Sequence, residues 1–367
     1  MFMVRVSRGA GAALALAVVL AVGAALVIAT RGGADSTRAH HNGGGSAVSY
    51  SGVAGSNAPA ALGRYIEQAP HVASTLQTYG PDSGVQSGSQ TPPAAFAAVP
   101  AAAFAEPIAA YRAFSSRQLV LMQDQVSLMQ AALAADDRAA AQRAWRQAFS
   151  DYLKLGAVYL EGRLAGLDDA IAGTPGGLPG GTASRRFSGL HRLELGLWTG
   201  APLSSLQPWA QRLAADVRTL RGALQRVAIS PFDYVTRAHE ILEDAIRDLL
   251  SGTDVPWSGE GVLGTDAAVA ATAEVIHTLA PLLSDREGTL PVVLQELTDL
   301  RATLRSIKLA HGGTLPTNEQ LTQLQSERLD GSVGQAAEAL AQVPVVIETN
   351  PKAQIPGSSQ PAARVSR

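Results

Sequence analysis

Residues 119–133 read LVLMQDQVSLMQAAL. Leu119, Met122, Val126, Met129 and Leu133 step by three and four, the spacing that lines one face of an α-helix, while Gln123, Asp124, Gln125 and Ser127 break any strand-like alternation. The same stepping recurs at Leu206, Trp209, Leu213, Val217, Leu220 and Leu224, and at Leu290, Leu294, Leu297, Leu300, Leu304 and Ile307. No stretch alternates apolar and polar residues for long. The pattern therefore predicts an all-α protein built of helical bundles.

Terminal signals place the helices. Asp136 and Asp137 precede a helix expected over 138–164, and Ser230-Pro231 opens one over about 231–250, closed by Ser251-Gly252. Pro316-Thr317 is expected to open a last helix running to about 342. His311, before Gly312-Gly313, reads as a helix C-terminal residue. Seven or eight helices result, with the longest loops at 165–187 and 251–264, and long loops in a compact helical domain are often functional.

The whole chain has 367 residues, a net charge of −2 and no cysteine. Near-balanced charge argues against a nucleic-acid binder, which needs a basic stripe. The lack of cysteine excludes disulfides, thiolate metal sites, cysteine nucleophiles and a lipoprotein anchor. Arg5 and Arg8 precede about 20 apolar residues, enough to span a bilayer with the basic end inside. The expected organisation is an N-terminal transmembrane anchor or signal over 1–33, a flexible linker with a short helix over 34–93, a helical domain over 94–345 and a disordered tail over 346–367. The bulk of the chain is expected outside the cytoplasm, on a single-pass anchor in the cell membrane, or secreted if the N-terminus is cleaved. The His40–His41 pair reads as part of a solvated linker.

Chemistry concentrates in two helical stretches. In GLHRLELGLW, 189–198, His191 and Glu194 stand three apart and share a face. Helical bundles build iron and manganese sites from such pairs, though spacing alone equally fits a surface pair or a buried histidine with its partner. In RAHEILEDA, 237–245, His239 stands four before Glu243 and beside Glu240. The zinc-protease pattern H-E-x-x-H fails, because position 243 is glutamate. There is no G-x-S-x-G, no P-loop and no dinucleotide fingerprint, and GTPGGLPGG lacks the lysine of a phosphate cradle.

The segment DDAIAGTPGGLPGGTASRRFSGLHRLELGLWTG, 168–200, resembles the imelysin-like family, and within it the actinobacterial branch of the EfeO-type periplasmic iron-uptake proteins. The residues that carry the resemblance are Gly189, His191, Glu194, Leu197 and Trp198. AWRQAFSDYLKLGAVY (144–159), RAHEILEDAIRDLLSGTD (237–254), LAPLLSDR (279–286) and ERLDGSVGQAAEALAQVP (327–344) extend it over about residues 95–345. The resemblance implies two four-helix bundles with a groove between them, and an iron-handling role outside the membrane beside an iron permease and a haem peroxidase. It also implies iron as the metal, with copper or zinc as competitors for the same groups.

The metal ligands expected from it are His191, Glu194, Glu243 and Glu240, with Asp169 or Glu161 as other candidates to complete the shell. Trp198 is expected in the core. The chain departs from the family pattern at Phe149, where a histidine is usual, at Leu153, where a glutamate follows the tyrosine, and at Ala172, where the loop has a second aspartate. Those departures keep two further readings open: a metal-poor relative whose groove binds a partner protein or ligand, and an imelysin-like metallopeptidase with Glu194 or Glu240 as base.

Overall fold

The computed structural model describes residues 97–158, 165–176, 178–286, 288–347 and 355–357. The expected anchor of 1–33, the linker of 34–93 and Glu161 lie outside them. The described residues are helical, and the β-type pairing among them is a single bridge, in which Ile229 and Ile355 exchange backbone hydrogen bonds of 3.0 and 2.9 Å. A piece of the expected disordered tail is thus tied to the body of the molecule.

The helices are α1 (Ala105–Ala134), α2 (Arg138–Leu153), α3 (Ala165–Ala172), α4 (Gly189–Trp198), α5 (Gln207–Leu224), α6 (Pro231–Asp244), α7 (Gly261–Leu283), α8 (Thr289–Ala310), α9 (Gln323–Leu340) and α10 (Val343–Val346). The end of α6 runs on as a π-helical turn, Ala245–Leu250. Contacts fall into two groups of four. Helix α1 packs on α2 and α5, and α4 packs on both α2 and α5; α6, α7, α8 and α9 form the second group, joined to the first through α7 against α1 and α2. One continuous apolar core runs through both groups.

Leu119, Met122, Val126, Met129 and Leu133 are all buried, as their stepping predicts. Each such side chain removed from water contributes about 1.5–3 kcal/mol. The α8 stripe holds except at Leu294, which is 48% exposed. Helix α7 is long and apolar enough to cross a membrane by length and composition alone; here its apolar residues are core, with Val262, Val269, Val275, Ile276, Leu279 and Leu283 buried.

Caps follow the sequence at two expected starts. The Asp137 carboxylate accepts from Ala140 N at 2.9 Å, and Ser230 Oγ accepts from Asp233 N at 3.2 Å.

Three boundaries differ from expectation. Helix α2 ends at Leu153 rather than continuing to 164, because tertiary partners use the backbone beyond it. Tyr111 Oη donates to Lys154 O at 2.9 Å, Ala157 N donates to Tyr111 Oη, and Arg237 Nε donates to Gly156 O at 2.9 Å. The expected loop of 165–187 begins as helix α3. Helix α9 opens at Thr322, whose side chain forms a reciprocal capping box with Gln325, and Thr317 caps only a 3-10 turn at Asn318–Gln320.

Candidate functional site

Helix α4 is seated by two neighbours before it presents any chemistry. Trp145 on α2 donates its indole N–H to Leu190 O at 2.8 Å and stacks on Phe149, with ring centroids 4.9 Å apart. Trp198 meets Trp145 edge-on at 5.1 Å, on the core side as expected. On the other flank the chain after α3 crosses the start of α4 at backbone contact. Gly173 and Gly189 both have φ of 71°, and a Cβ on Gly173 would lie 1.5 Å from Ser188 O. Only glycine fits such an approach with a left-handed backbone.

This seating buries His191 and Glu194, which are 2% and 0% exposed. Their spacing delivers what it promises: His191 Nδ1 lies 2.9 Å from Glu194 Oε2. The other ring nitrogen, Nε2, lies 3.3 Å from Asp254 Oδ1. Glu194 Oε1 accepts from Trp257 N at 3.2 Å, Ser258 N at 2.8 Å and Ser258 Oγ at 2.7 Å. The segment 254–258 between α6 and α7 is therefore closed over α4 by charge-assisted hydrogen bonds. Two residues further on, buried Glu260 takes Arg146 Nε of α2 at 2.5 Å.

The electrostatics follow from this enclosure. Burial works against a charge on His191, but Asp254 and Glu194 outweigh it and hold the imidazole up at about 9. Burial alone raises Asp254; the imidazolium beside it overrides this and holds the carboxyl well below the usual carboxylate range. Burial raises Glu260, against the pull of Arg146.

Asp254 also lines a cavity of about 80 Å³ between the end of α2, α6 with its π-helical turn, and α7. Asp168, Asp244, Asp248, Tyr152 and Arg237 share that lining. Tyr152 Oη donates to Asp168, whose carboxyl is raised by burial, and Arg237 holds Asp244 at 3.0 Å. The lining is mostly apolar, and its carboxylates Asp244 and Asp248 are held by Arg237 and Arg247.

Of the expected ligands, His191 and Glu194 are together, and Glu240 and Glu243 are not brought to them. Glu240 faces Arg237 at 3.1 Å. Glu243 is half-buried on α6 and its carboxyl is raised by burial and by its neighbours Glu240 and Asp244. Asp169 is exposed. Among the described residues, no three His, Asp or Glu side chains converge in a group able to hold a metal ion. Phe149 explains part of this: its ring lies 6.1 Å from that of His191, edge-on, where a histidine would offer a nitrogen. Leu153 lines the cavity with a methyl where a glutamate would offer oxygens.

The residues that sequence reasoning missed are Asp254, Ser258, Glu260 and Arg146. Their signal was the long 251–264 loop, but its partners stand 63 and 64 residues away in the case of Glu194 with Trp257 and Ser258.

Residues 107–255 match the family model described as imelysin. That stretch is similar to an imelysin domain. The matched stretch runs from α1 through α6 to Val255, and so contains both α4 and Asp254, whose carboxylate meets it. Among curated proteins, the chain is similar to the iron uptake system component EfeM of Bacillus subtilis, 21% identical over 44% of this chain and 42% of that protein. It is also similar to the iron uptake system component EfeO of Yersinia pseudotuberculosis, 23% identical over 66% of this chain and 64% of that protein. With EfeO of Escherichia coli it is 24% identical over 44% of this chain and 43% of that protein. The chain thus spans less than two thirds of the length of these relatives.

Proposed function

We propose that this chain is an extracytoplasmic iron-binding component of an uptake system of the Efe type, held at the membrane by its N-terminal apolar segment. The observation that carries the reading is the buried pair His191 Nε2 and Asp254 Oδ1, 3.3 Å apart, of which Asp254 also lines a cavity. A cation would take this place by displacing the Nε2 proton of the imidazolium that Asp254 and Glu194 hold. The relatives named as iron uptake components support iron as that cation.

In this reading iron is cargo. Two protein donors, with water or a small carboxylate ligand filling the remaining positions, hold an ion loosely enough to pass it on. Glu194 keeps the imidazole oriented. An iron permease and a haem peroxidase are the proposed partners. Copper and zinc compete for imidazole and carboxylate as free ions, so selectivity rests on what is supplied outside the cell.

The test is calorimetry on the full-length chain in detergent, titrated with ferrous iron, ferric citrate, zinc and copper beside His191→Ala. Micromolar or tighter iron binding that the variant abolishes is the expected result. Binding that is unchanged in the variant, or no binding at all, ends the reading. The second reading, a metal-poor relative that binds a partner in the groove, is favoured by Phe149 and Leu153 standing beside the site without donor atoms, and it predicts the latter outcome.

A further inference from the structure

Charge is unevenly spread along this chain. Residues 173–232 hold seven arginines, no lysine and two carboxylates, Glu194 and Asp216, while residues 233–347 hold seventeen carboxylates against seven lysines and arginines. Of the two carboxylates, Glu194 is sealed in the core and Asp216 faces Arg212 at 3.8 Å. The positive excess is displayed on α5. Its exposed face carries Ala215 and Gly222 along the middle, Arg218 and Arg221 along one edge and Arg212 along the other, with Arg226 just past its end, over about 20 Å in all. No ion pair among the described residues reaches Arg218, Arg221 or Arg226. Beside the start of α5, Arg192 of α4 is held between Phe187 and Trp209, its guanidinium 5.5 and 5.0 Å from the two ring centres.

Among the described residues, none of the exposed large apolar side chains lies on α4 or α5. Stable protein interfaces are built around a desolvated apolar and aromatic core, which this face does not offer. A flat row of arginines instead matches a plane of anionic headgroups, where each arginine near the surface adds about fivefold in affinity. The path of the chain agrees. Arg112 of α1 donates to Leu224 O and Val227 O at 2.8 and 2.6 Å, and Gln225 Nε2 donates to Ser116 Oγ at 2.6 Å, so the first turns of α1 lie against the end of α5. The chain arriving from the N-terminal apolar segment thus joins the body at the end of α5 that carries Arg221 and Arg226. A tether that ends there holds the basic face at high effective concentration near the bilayer.

We propose that α5 is a membrane-docking face: it lies against the anionic headgroups of the bilayer in which the chain is anchored, with Arg212, Arg218, Arg221 and Arg226 as the contacts. This takes up the anchored placement in the reading above and is independent of iron. The carboxylate-rich helices α6–α9 are repelled by the same headgroups, so the attraction selects one orientation of the body over the membrane. Arginine keeps its charge throughout the physiological pH range, so the docking is governed by lipid charge and by salt.

Free of cysteine, the full-length chain accepts a single label at a chosen place. Gly222→Cys on the basic face and Gly331→Cys on α9 both fall where an added side chain meets nothing within 4 Å. Each variant, carrying a fluorophore, is reconstituted in phosphatidylcholine vesicles and in an equal mixture with phosphatidylglycerol, with a headgroup-nitroxide lipid as quencher. The label at 222 is expected to be quenched in the anionic vesicles and not in the neutral ones, and the label at 331 in neither. Salt at about 1 M, which screens charges beyond about 3 Å, is expected to release it. Arg218→Gln and Arg221→Gln are each expected to lower the ratio of docked to free chain about fivefold. Equal quenching at 222 in both lipids, or quenching that survives both salt and the arginine variants, overturns the proposal. So does a face left unquenched in both lipids, which points to an acidic protein in their place. A chain that floats with neither kind of vesicle is a different failure: it ends the anchored placement, and the docking with it.

Discussion

Two helices of this protein carry a histidine followed by glutamate, and they fare differently. On α4, His191 and Glu194 are sealed in the core and every hydrogen-bonding atom of both has a partner. On α6, His239 is buried with its Nδ1 unpaired among the described residues, Glu240 turns to Arg237, and Glu243 is crowded by Glu240 and Asp244. Helical spacing is common to both and decides neither. What separates them is a covering segment: residues 254–258 close over α4 with a carboxylate, two backbone N–H groups and a hydroxyl, and no segment among the described residues bonds the α6 pair in this way.

The sharpest way to break the contrast is to cut into each pair. Glu194→Ala leaves a buried imidazolium with one carboxylate and strands the N–H groups of Trp257 and Ser258. Breaking a buried ion pair from one side costs about 3–5 kcal/mol, so urea denaturation is expected to show a loss of that size or no folded protein at all. Asp254→Asn keeps the shape and removes one charge, for an expected loss of about 2–3 kcal/mol together with loss of metal binding in calorimetry. A loss below about 0.5 kcal/mol for either would mean that α4 is not closed by charge.

Acidity tests the same pair without mutation. His191 titrates higher in the folded chain, at about 9, than the ordinary imidazole value of 6.5. Its contribution is therefore fully present below about 6.5 and is lost as pH rises through about 9. Thermal melts between pH 6 and 10 are expected to fall across that window in the parent, and to be flatter in His191→Gln. Asp254 is depressed, so its contribution persists above the usual carboxylate range and disappears only in strong acid.

Phe149→His returns a nitrogen beside His191. It is expected to tighten zinc and iron binding about tenfold, at a folding cost of about 1–2 kcal/mol for a polar group placed in a dry pocket. No gain in affinity would show that the Phe149 ring does not mark the place of an absent ligand. The smallest effect is expected on α6. Glu243→Gln removes a carboxylate crowded by Glu240 and Asp244, so stability is expected to change by less than about 0.5 kcal/mol, towards greater stability, with metal affinity unaltered.

Much of this fold is readable from spacing, because a helix face is a local property. Met122, Val126 and Met129 announce α1 by periodicity, and Asp137 and Ser230 mark starts that the caps confirm. What was not readable is tertiary. The end of α2 depends on Tyr111 and Arg237 claiming backbone atoms from far along the chain, and helix α3 was hidden by the glycines that follow it. At the site, His191 and Glu194 were legible as a pair on one helix. Asp254 and Ser258 were not, since nothing local in VPWS tells which helix it will cover. The expected partners Glu240 and Glu243 failed for the same reason: a carboxylate near a histidine in sequence is not near every histidine in space.

The crossing at Gly173 and Ser188 has one more consequence. The chain leaves and returns where residues 170–173 and 188–189 lie at backbone contact, so the excursion that follows α3 is closed at its base. Its tip touches α4 through one exposed bond, Arg192 Nη1 to Thr182 O at 3.3 Å, while the base carries the anchoring. Gly180-Gly181, both in left-handed backbone with no neighbour within 3.5 Å of an added Cβ, is thus a natural place to insert a fluorophore tag or a protease site beside an otherwise inaccessible centre.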